Sequence, residues 1–157
     1  MNKGSHSMKA HSDEYWMRCA LKEAQKAFDE DEIPVGAVIV KDENIISRAH
    51  NQTELKGDSI AHAEILVLER ARKKVGKWLH GCTLYVTLEP CSMCAGALVL
   101  SRIDKVVFGA FDPKNGAVGS LYNILYDTRL NHNPKVVFGV LQVECSQILK
   151  KFFTSKR

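Results

Sequence analysis

The chain has 157 residues, of which 45% are apolar and 25% charged, with ten Gly, four Pro and a formal charge of +4. These are the proportions of one ordinary soluble globular domain, and they exclude collagen-like, mucin-like and compositionally disordered chains. No apolar run approaches the roughly 20 residues that a membrane-spanning helix needs. The N-terminus carries no secretory-type apolar stretch, so the five cysteines, Cys19, Cys82, Cys91, Cys94 and Cys145, are expected in a reducing cytoplasm.

Residues 1–11, with Gly4-Ser5-His6-Ser7, read as a disordered start or an expression remnant, and residues 12–157 as a single domain. Ser12 caps a predicted helix whose first turn carries Asp13 and Glu14 and whose apolar positions, Trp16 to Phe28, recur mostly every three or four residues. The acidic run Asp29 to Glu32 and Pro34 end it. The apolar stretch Val35 to Val40 predicts a buried strand, Asp42-Glu43 a turn, and Asn44 to Arg48 a second strand. A polar loop, Asn51 to Ser59, leads to a helix over Ile60 to Val75, followed by a strand over Thr83 to Leu88. Pro90 suits the first turn of a helix reaching Leu100. Lys105 to Phe108 predicts a fourth strand, Asp112 to Gly116 a turn, Leu121 to Leu125 a short helix, Val136 to Leu141 a fifth strand, and Glu144 to Thr154 a last helix. This alternation predicts one α/β domain with a central sheet, helices on its faces and one core.

Two short strings carry chemistry: His62-Ala63-Glu64, and Pro90-Cys91-Ser92-Met93-Cys94. Each alone is a weak signal. Both open predicted helices, and both can point toward the same end of a sheet, where α/β proteins place their sites. Cys91 and Cys94 share a helical face, and with His62 they make a borderline-soft set suited to zinc. A helix N-terminus favours the thiolates needed for ligation. Three ligands leave a fourth position for water, whose pKa zinc brings toward roughly 7, with Glu64 as the proton acceptor. The i, i+2 spacing does not by itself turn both His62 and Glu64 toward one ion, since two helical positions differ by about 200°. The competing arrangement is a closed structural zinc site with Cys82 or His80 as fourth ligand. Cys19, Cys82 and Cys145 read as small buried apolar side chains.

Taken together, the two strings resemble the signature of the cytidine/deoxycytidylate-type zinc deaminases, a mechanism described in general terms for base-flipping enzymes. Within that superfamily the chain is similar to the bacterial tRNA-specific adenosine deaminases from about Asp13 to Phe153. The supporting strings are Ile33-Pro34-Val35-Gly36-Ala37, Ala49-His50-Asn51, Ile60 to Glu64, Leu84 to Cys91, Leu98 to Ile103, Val107 to Ala110, Gly116 with Gly119-Ser120, and Leu130-Asn131-His132. The resemblance implies a three-layer cytidine-deaminase-like fold, with a five-stranded mixed sheet and helices on both faces. It also implies a homodimer, one zinc ion per chain, and Asn51 hydrogen-bonding the flipped base. Val35, Pro90, Asp112, Asn131 and His132 are further substrate contacts expected from it. Two positions depart from the family pattern. Asn133-Pro134 stands where a basic residue is frequent, and Phe111 where polar residues are.

The reaction so implied is hydrolytic conversion of the wobble adenosine of a tRNA anticodon to inosine. A deaminase of a free base or nucleoside, of guanine or cytosine type, shares the same zinc strings. The C-terminal stretch favours RNA, because Lys150, Lys151, Lys156 and Arg157 flank Phe152 and Phe153. Lys150, Lys151 and Phe153 are therefore expected to touch the anticodon stem-loop, although both aromatics could instead pack the last helix onto the core. A zinc-dependent RNA-binding module without turnover is a third reading, against which Glu64 argues.

Overall fold

A computed structural model of the chain describes residues 10–156, so most of the expected disordered start lies outside the described residues. His11 is held, its backbone N–H donating to Glu43 at 2.8 Å and its ring stacked on Tyr15. Helix α1 (Asp13–Asp29) begins where the Ser12 hydroxyl accepts the Tyr15 N–H at 3.1 Å. Strand β1 (Gly36–Lys41) turns through Asp42-Glu43 into β2 (Asn44–His50). Both turn residues have positive φ, 51° and 60°, as a two-residue hairpin with right-handed strand twist requires. Next come a short helix α2 (Thr53–Lys56), helix α3 (Ala63–Val75), strand β3 (Cys82–Leu88), helix α4 (Ser92–Leu100) and strand β4 (Lys105–Ala110). A 3-10 turn (Ile124–Tyr126), strand β5 (Lys135–Val137) and helix α5 (Gln142–Ser155) complete the order.

The strands form one mixed sheet in the order β2-β1-β3-β4-β5. Strand β1 is antiparallel to β2 and β3, whereas β3, β4 and β5 run parallel. Alternation along each strand sends side chains to opposite faces. Ala37, Ile39, Leu84, Val86, Val106 and Phe108 join the core under α3 and α4. Val38, Val40, Tyr85 and Val107 join a second cluster, with Trp16, Met17 and Ala20 of α1 and Cys145 of α5. The single core expected from the sequence is thus divided by the sheet, because strands buried on both faces read as continuous apolar runs. Helix α1 approaches closely because β1 opens with Gly36; a Cβ there would strike the backbone of Ala20 and Ala24.

Several boundaries differ from the sequence reading. Strand β5 stops at Val137 because Gly139 adopts φ 76° and turns the chain, after which Val140 donates to Phe108 O at 3.3 Å. The loop after Asn51 contains α2, because fully buried Glu32 accepts the Glu54 N–H at 3.0 Å and the Leu55 N–H at 2.5 Å. The expected helix at Leu121 to Leu125 is the 3-10 turn, three residues further on. Pro90 sits outside α4, one residue before its N-cap Cys91, and α3 starts at Ala63, not Ile60. No helix among the described residues is long and apolar enough to cross a membrane.

Candidate active site

The topology brings six element ends together. Because β1 runs opposite to β3, its start lies beside the ends of β2, β3 and β4, and the N-termini of α3 and α4 open at the same edge. His62 and Cys91 are the N-cap residues of α3 and α4. Both have extended backbones, and neither side chain caps its own helix, which frees the imidazole and the thiol to face each other. His62 Nδ1 lies 3.6 Å from Cys91 Sγ and 3.5 Å from Cys94 Sγ. The ligand atoms of these three residues all lie within 4.8 Å of one another, and among the described residues they form the one such group able to hold a metal ion. Cys82 is excluded as a fourth ligand. It starts β3, whereas Cys91 follows the other end of that strand, and its thiol faces His80 O at 3.8 Å.

Electrostatics divide the two sulfurs. A hydrogen bond from the Cys94 thiol pushes Cys91 down to about 4; burial opposes this, and His62 adds to it. Cys94 is pushed up, first by that bond to Cys91 and then by its own burial. His62 is raised, chiefly by its hydrogen bond to Cys91. Glu64 is 4% exposed, and burial pushes its carboxyl up to about 7, close to where a general acid/base is most useful. The angular objection to pairing His62 with Glu64 falls away, because His62 precedes the helix and only Glu64 obeys helical geometry.

A cavity of about 640 Å³ opens over this cluster, lined by His62, Glu64 and Cys91 together with Val35, Asn51, Asp112 and Phe153. Asn51 is fixed at the open end of the β1–β2 hairpin. Its N–H donates to Val35 O at 3.0 Å and its side-chain amide to Ile33 O at 3.3 Å. Leu149 and Phe153, one turn apart on α5, close one side.

The other expected contacts lie outside this cavity. Pro90 is buried and its carbonyl accepts the Ala117 N–H at 2.8 Å. Asn131 is exposed, and the His132 ring bonds Ile103 O before the start of β4, at the opposite end of the sheet. Lys150 and Lys151 are exposed on α5, with Lys151 Nζ 5.7 Å over the Phe28 ring. Of the two departures from the family pattern, Phe111 lines the cavity, while Asn133 donates to Leu125 O and Asp127 O and pins the 3-10 turn. The sequence reading missed Lys114, Asn115 and Glu89, which also line the cavity. The first two lie within the Asp112 to Gly116 turn, whose composition signals only a change of direction.

The sequence matches the MafB19-like deaminase family over residues 11–157. It is 57% identical over 146 residues to a tRNA-specific adenosine deaminase of Bacillus subtilis, covering 92% of this chain and 91% of that protein. A tRNA-specific adenosine deaminase of Aquifex aeolicus is 51% identical over 145 residues, covering 92% and 95%. A structure from studies of A-to-I editing by tRNA:A34 deaminases at the wobble position of transfer RNA superposes with a TM-score of 0.82 at 43% identity, covering 86% of this chain and 99% of that one. With its His-Cys-Cys cluster and buried glutamate set at the sheet edge, the chain belongs to the MafB19-like deaminases and, among them, to the tRNA-specific adenosine deaminases.

Proposed function

We propose that this protein hydrolytically deaminates the wobble adenosine of a tRNA anticodon, giving inosine and ammonia, with zinc held by His62, Cys91 and Cys94. The observation that carries the proposal is the convergence of His62, Cys91, Glu64 and Asn51 on one cavity, with buried Cys94 completing the metal-binding group, in a chain so similar to tRNA-specific adenosine deaminases. The donor set fits the metal. Tetrahedral bonds of about 2.3 Å to sulfur and 2.0–2.1 Å to nitrogen place sulfur and nitrogen about 3.5 Å apart, and the separations here are 3.5 and 3.6 Å. Bound zinc supplies Lewis acidity that makes a water nucleophilic at neutral pH.

Glu64 performs the proton transfers. Its carboxylate takes a proton from the attacking water and delivers it to the purine ring nitrogen as the C6–O bond forms; it then takes the proton of the new C6–OH and passes it to the exocyclic amine, which leaves as ammonia as the C6–N bond breaks and the C6 carbonyl forms. Burial lifts that carboxyl above its ordinary value, toward the range in which one group can both take and give a proton. Asn51 offers an amide edge to the base, while Val35 and Phe153 cover it with apolar surface. Asp112, Lys150 and Lys151 are assigned to the RNA around that base. Pro90, through its bond to Ala117, supports the cavity wall instead of touching the base. Asn131 and His132 complete the RNA-contact set expected from the resemblance, at the far end of the sheet. The family resemblance also supports a homodimer at work in the cytoplasm, and exposed Leu55, Ile60 and Leu100 are apolar surface for a second copy to cover.

The test is direct. Zinc-loaded protein is incubated with an anticodon stem-loop, adenosine, cytidine and guanine, and inosine and ammonia are measured. Inosine from the stem-loop alone is the expected result. Faster turnover of a free base than of any RNA overturns the substrate assignment in favour of a small-molecule deaminase. Sedimentation of the same preparation reads the dimer.

A further inference from the structure

Glu89 lies between β3 and the Cys91 cap, where an ionised side chain is costly. It is 2% exposed, and among the described residues no cation pairs with it. All the side-chain hydrogen bonds it accepts come from one segment. Oε1 accepts from Asp112 N at 2.9 Å and from the Ser120 hydroxyl, and Oε2 accepts from Val118 N at 2.9 Å and Ser120 N at 3.0 Å. Burial alone would raise this carboxyl, but the Ser120 hydroxyl and the three N–H groups outweigh it and hold the group below its ordinary value.

The segment so held has neither helix nor extended strand between Asp112 and Ser120, only turns and isolated bridges, one of them pairing Cys91 with Gly116. Its shape therefore depends on what it wraps. Gly116 rests against the carboxyl so closely that a Cβ would overlap it, and Ala117 N–H donates to Pro90 O at 2.8 Å. The same segment presents Asp112, Lys114 and Asn115 to the cavity, and among the described residues Lys114 is the one lysine or arginine lining it. Without the carboxylate, three backbone N–H groups lose their acceptor, a loss that irregular backbone has no ladder to absorb.

We propose that Glu89 is a positioning residue: by gathering the N–H groups of Asp112, Val118 and Ser120, it sets the cavity wall that carries Asp112 and Lys114 and so governs how the nucleotide is held. It does not touch the reacting atoms. The assignment of its effect to RNA rests on the proposed function; its hold on the loop does not.

The test compares metal-loaded wild type with Glu89→Gln, which keeps the shape but turns an NH2 group toward N–H donors, and with Ser120→Ala, which removes one hydroxyl. Hydrogen exchange, measured without RNA, should rise about tenfold or more in 112–120 in Glu89→Gln and stay unchanged in α3 and α4. Metal content should remain one ion per chain. The KM for the anticodon stem-loop should rise about tenfold while kcat changes less than about threefold, with Ser120→Ala moving the same way by less. Unchanged exchange in 112–120 overturns the proposal. So does a fall in kcat with KM unmoved, or release of the metal with exchange rising across α3 and α4. Should Glu89→Gln fail to fold, Ser120→Ala decides by the same criteria. A wild type that leaves the stem-loop adenosine unconverted removes the RNA reading, and the exchange measurement then decides the role of Glu89 by itself.

Discussion

Replacing Phe153 with Ala separates a substrate contact from a core residue, because Phe152 beside it supplies the comparison. Phe152 is 6% exposed and meets Phe28 with ring centroids 5.8 Å apart, whereas Phe153 is 49% exposed and lines the cavity. A fully buried Phe covers about 200 Å², and its truncation costs about 3–5 kcal/mol. Half of that area, at about 25 cal/mol per Å², corresponds to about 2.5 kcal/mol, of which Ala keeps a part. Urea denaturation should therefore show a loss of about 1–2 kcal/mol for Phe153→Ala and about 3–5 kcal/mol for Phe152→Ala. Stacking on one base contributes about 1–3 kcal/mol, so the Kd of Phe153→Ala for a labelled anticodon stem-loop, read by fluorescence anisotropy, should weaken about 5- to 150-fold. If Phe153→Ala costs as much stability as Phe152→Ala and binds RNA like wild type, Phe153 belongs to the core and the stacking role is wrong.

Cys91→Ala or Cys94→Ala should abolish metal retention, since each ligand belongs to a site whose binding energy reaches about 10 kcal/mol or more; atomic absorption on dialysed protein checks it. Glu64→Gln should keep about one ion per chain while turnover falls by at least about 10²-fold, and release of the ion would recast Glu64 as a support for a ligand. Replacing Lys150 and Lys151 by Ala should reduce the slope of log affinity against log salt by about 0.7 for each phosphate that is no longer neutralised, with melting temperature unchanged. Burial pushes the Cys145 thiol up to about 12. Alkylation at that position should therefore be slow throughout pH 7 to 9 and still climb about tenfold per pH unit at pH 9, where an ordinary thiol near 8.5 labels faster and is already levelling off; fast labelling that levels off near pH 9 would show that the α5–sheet contact opens.

The parts of the fold legible in the sequence are those fixed by neighbours in the chain. Ser12 before Asp13 and Glu14 announces a helix start, and the apolar run from Val35 announces a strand buried on both faces. The metal cluster is legible because its three ligands lie in two strings at helix starts. What stays hidden depends on partners far along the chain. Glu32 reads as part of an acidic run ending a helix, yet it is fully buried because Glu54 and Leu55, more than 20 residues later, donate to it. Glu89 is hidden for the same reason: its donors are 23 to 31 residues away. Strand β5 is shorter than its apolar pattern suggests, although Gly139 stands inside the run as a signal of the turn that ends it.

The placement of His62 and Cys91 at helix caps has a consequence for how such a scaffold can diversify. A cap residue is held by the first turn that follows it, so these two metal-binding side chains are anchored to α3 and α4, which pack on one face of the sheet. Much of the cavity wall comes from elsewhere: the 111–115 segment, and Leu149 and Phe153 of α5, which lies on the other face. Changes of length or composition in those two pieces leave the anchoring turns untouched. Exchanging residues 111–115 together with the cavity-facing residues of α5, while Gly116 to Ser120 keep their contacts with Cys91, Pro90 and Glu89, is accordingly a route to redirect the reaction toward a different amine-bearing ring with the hydrolytic centre kept as it stands.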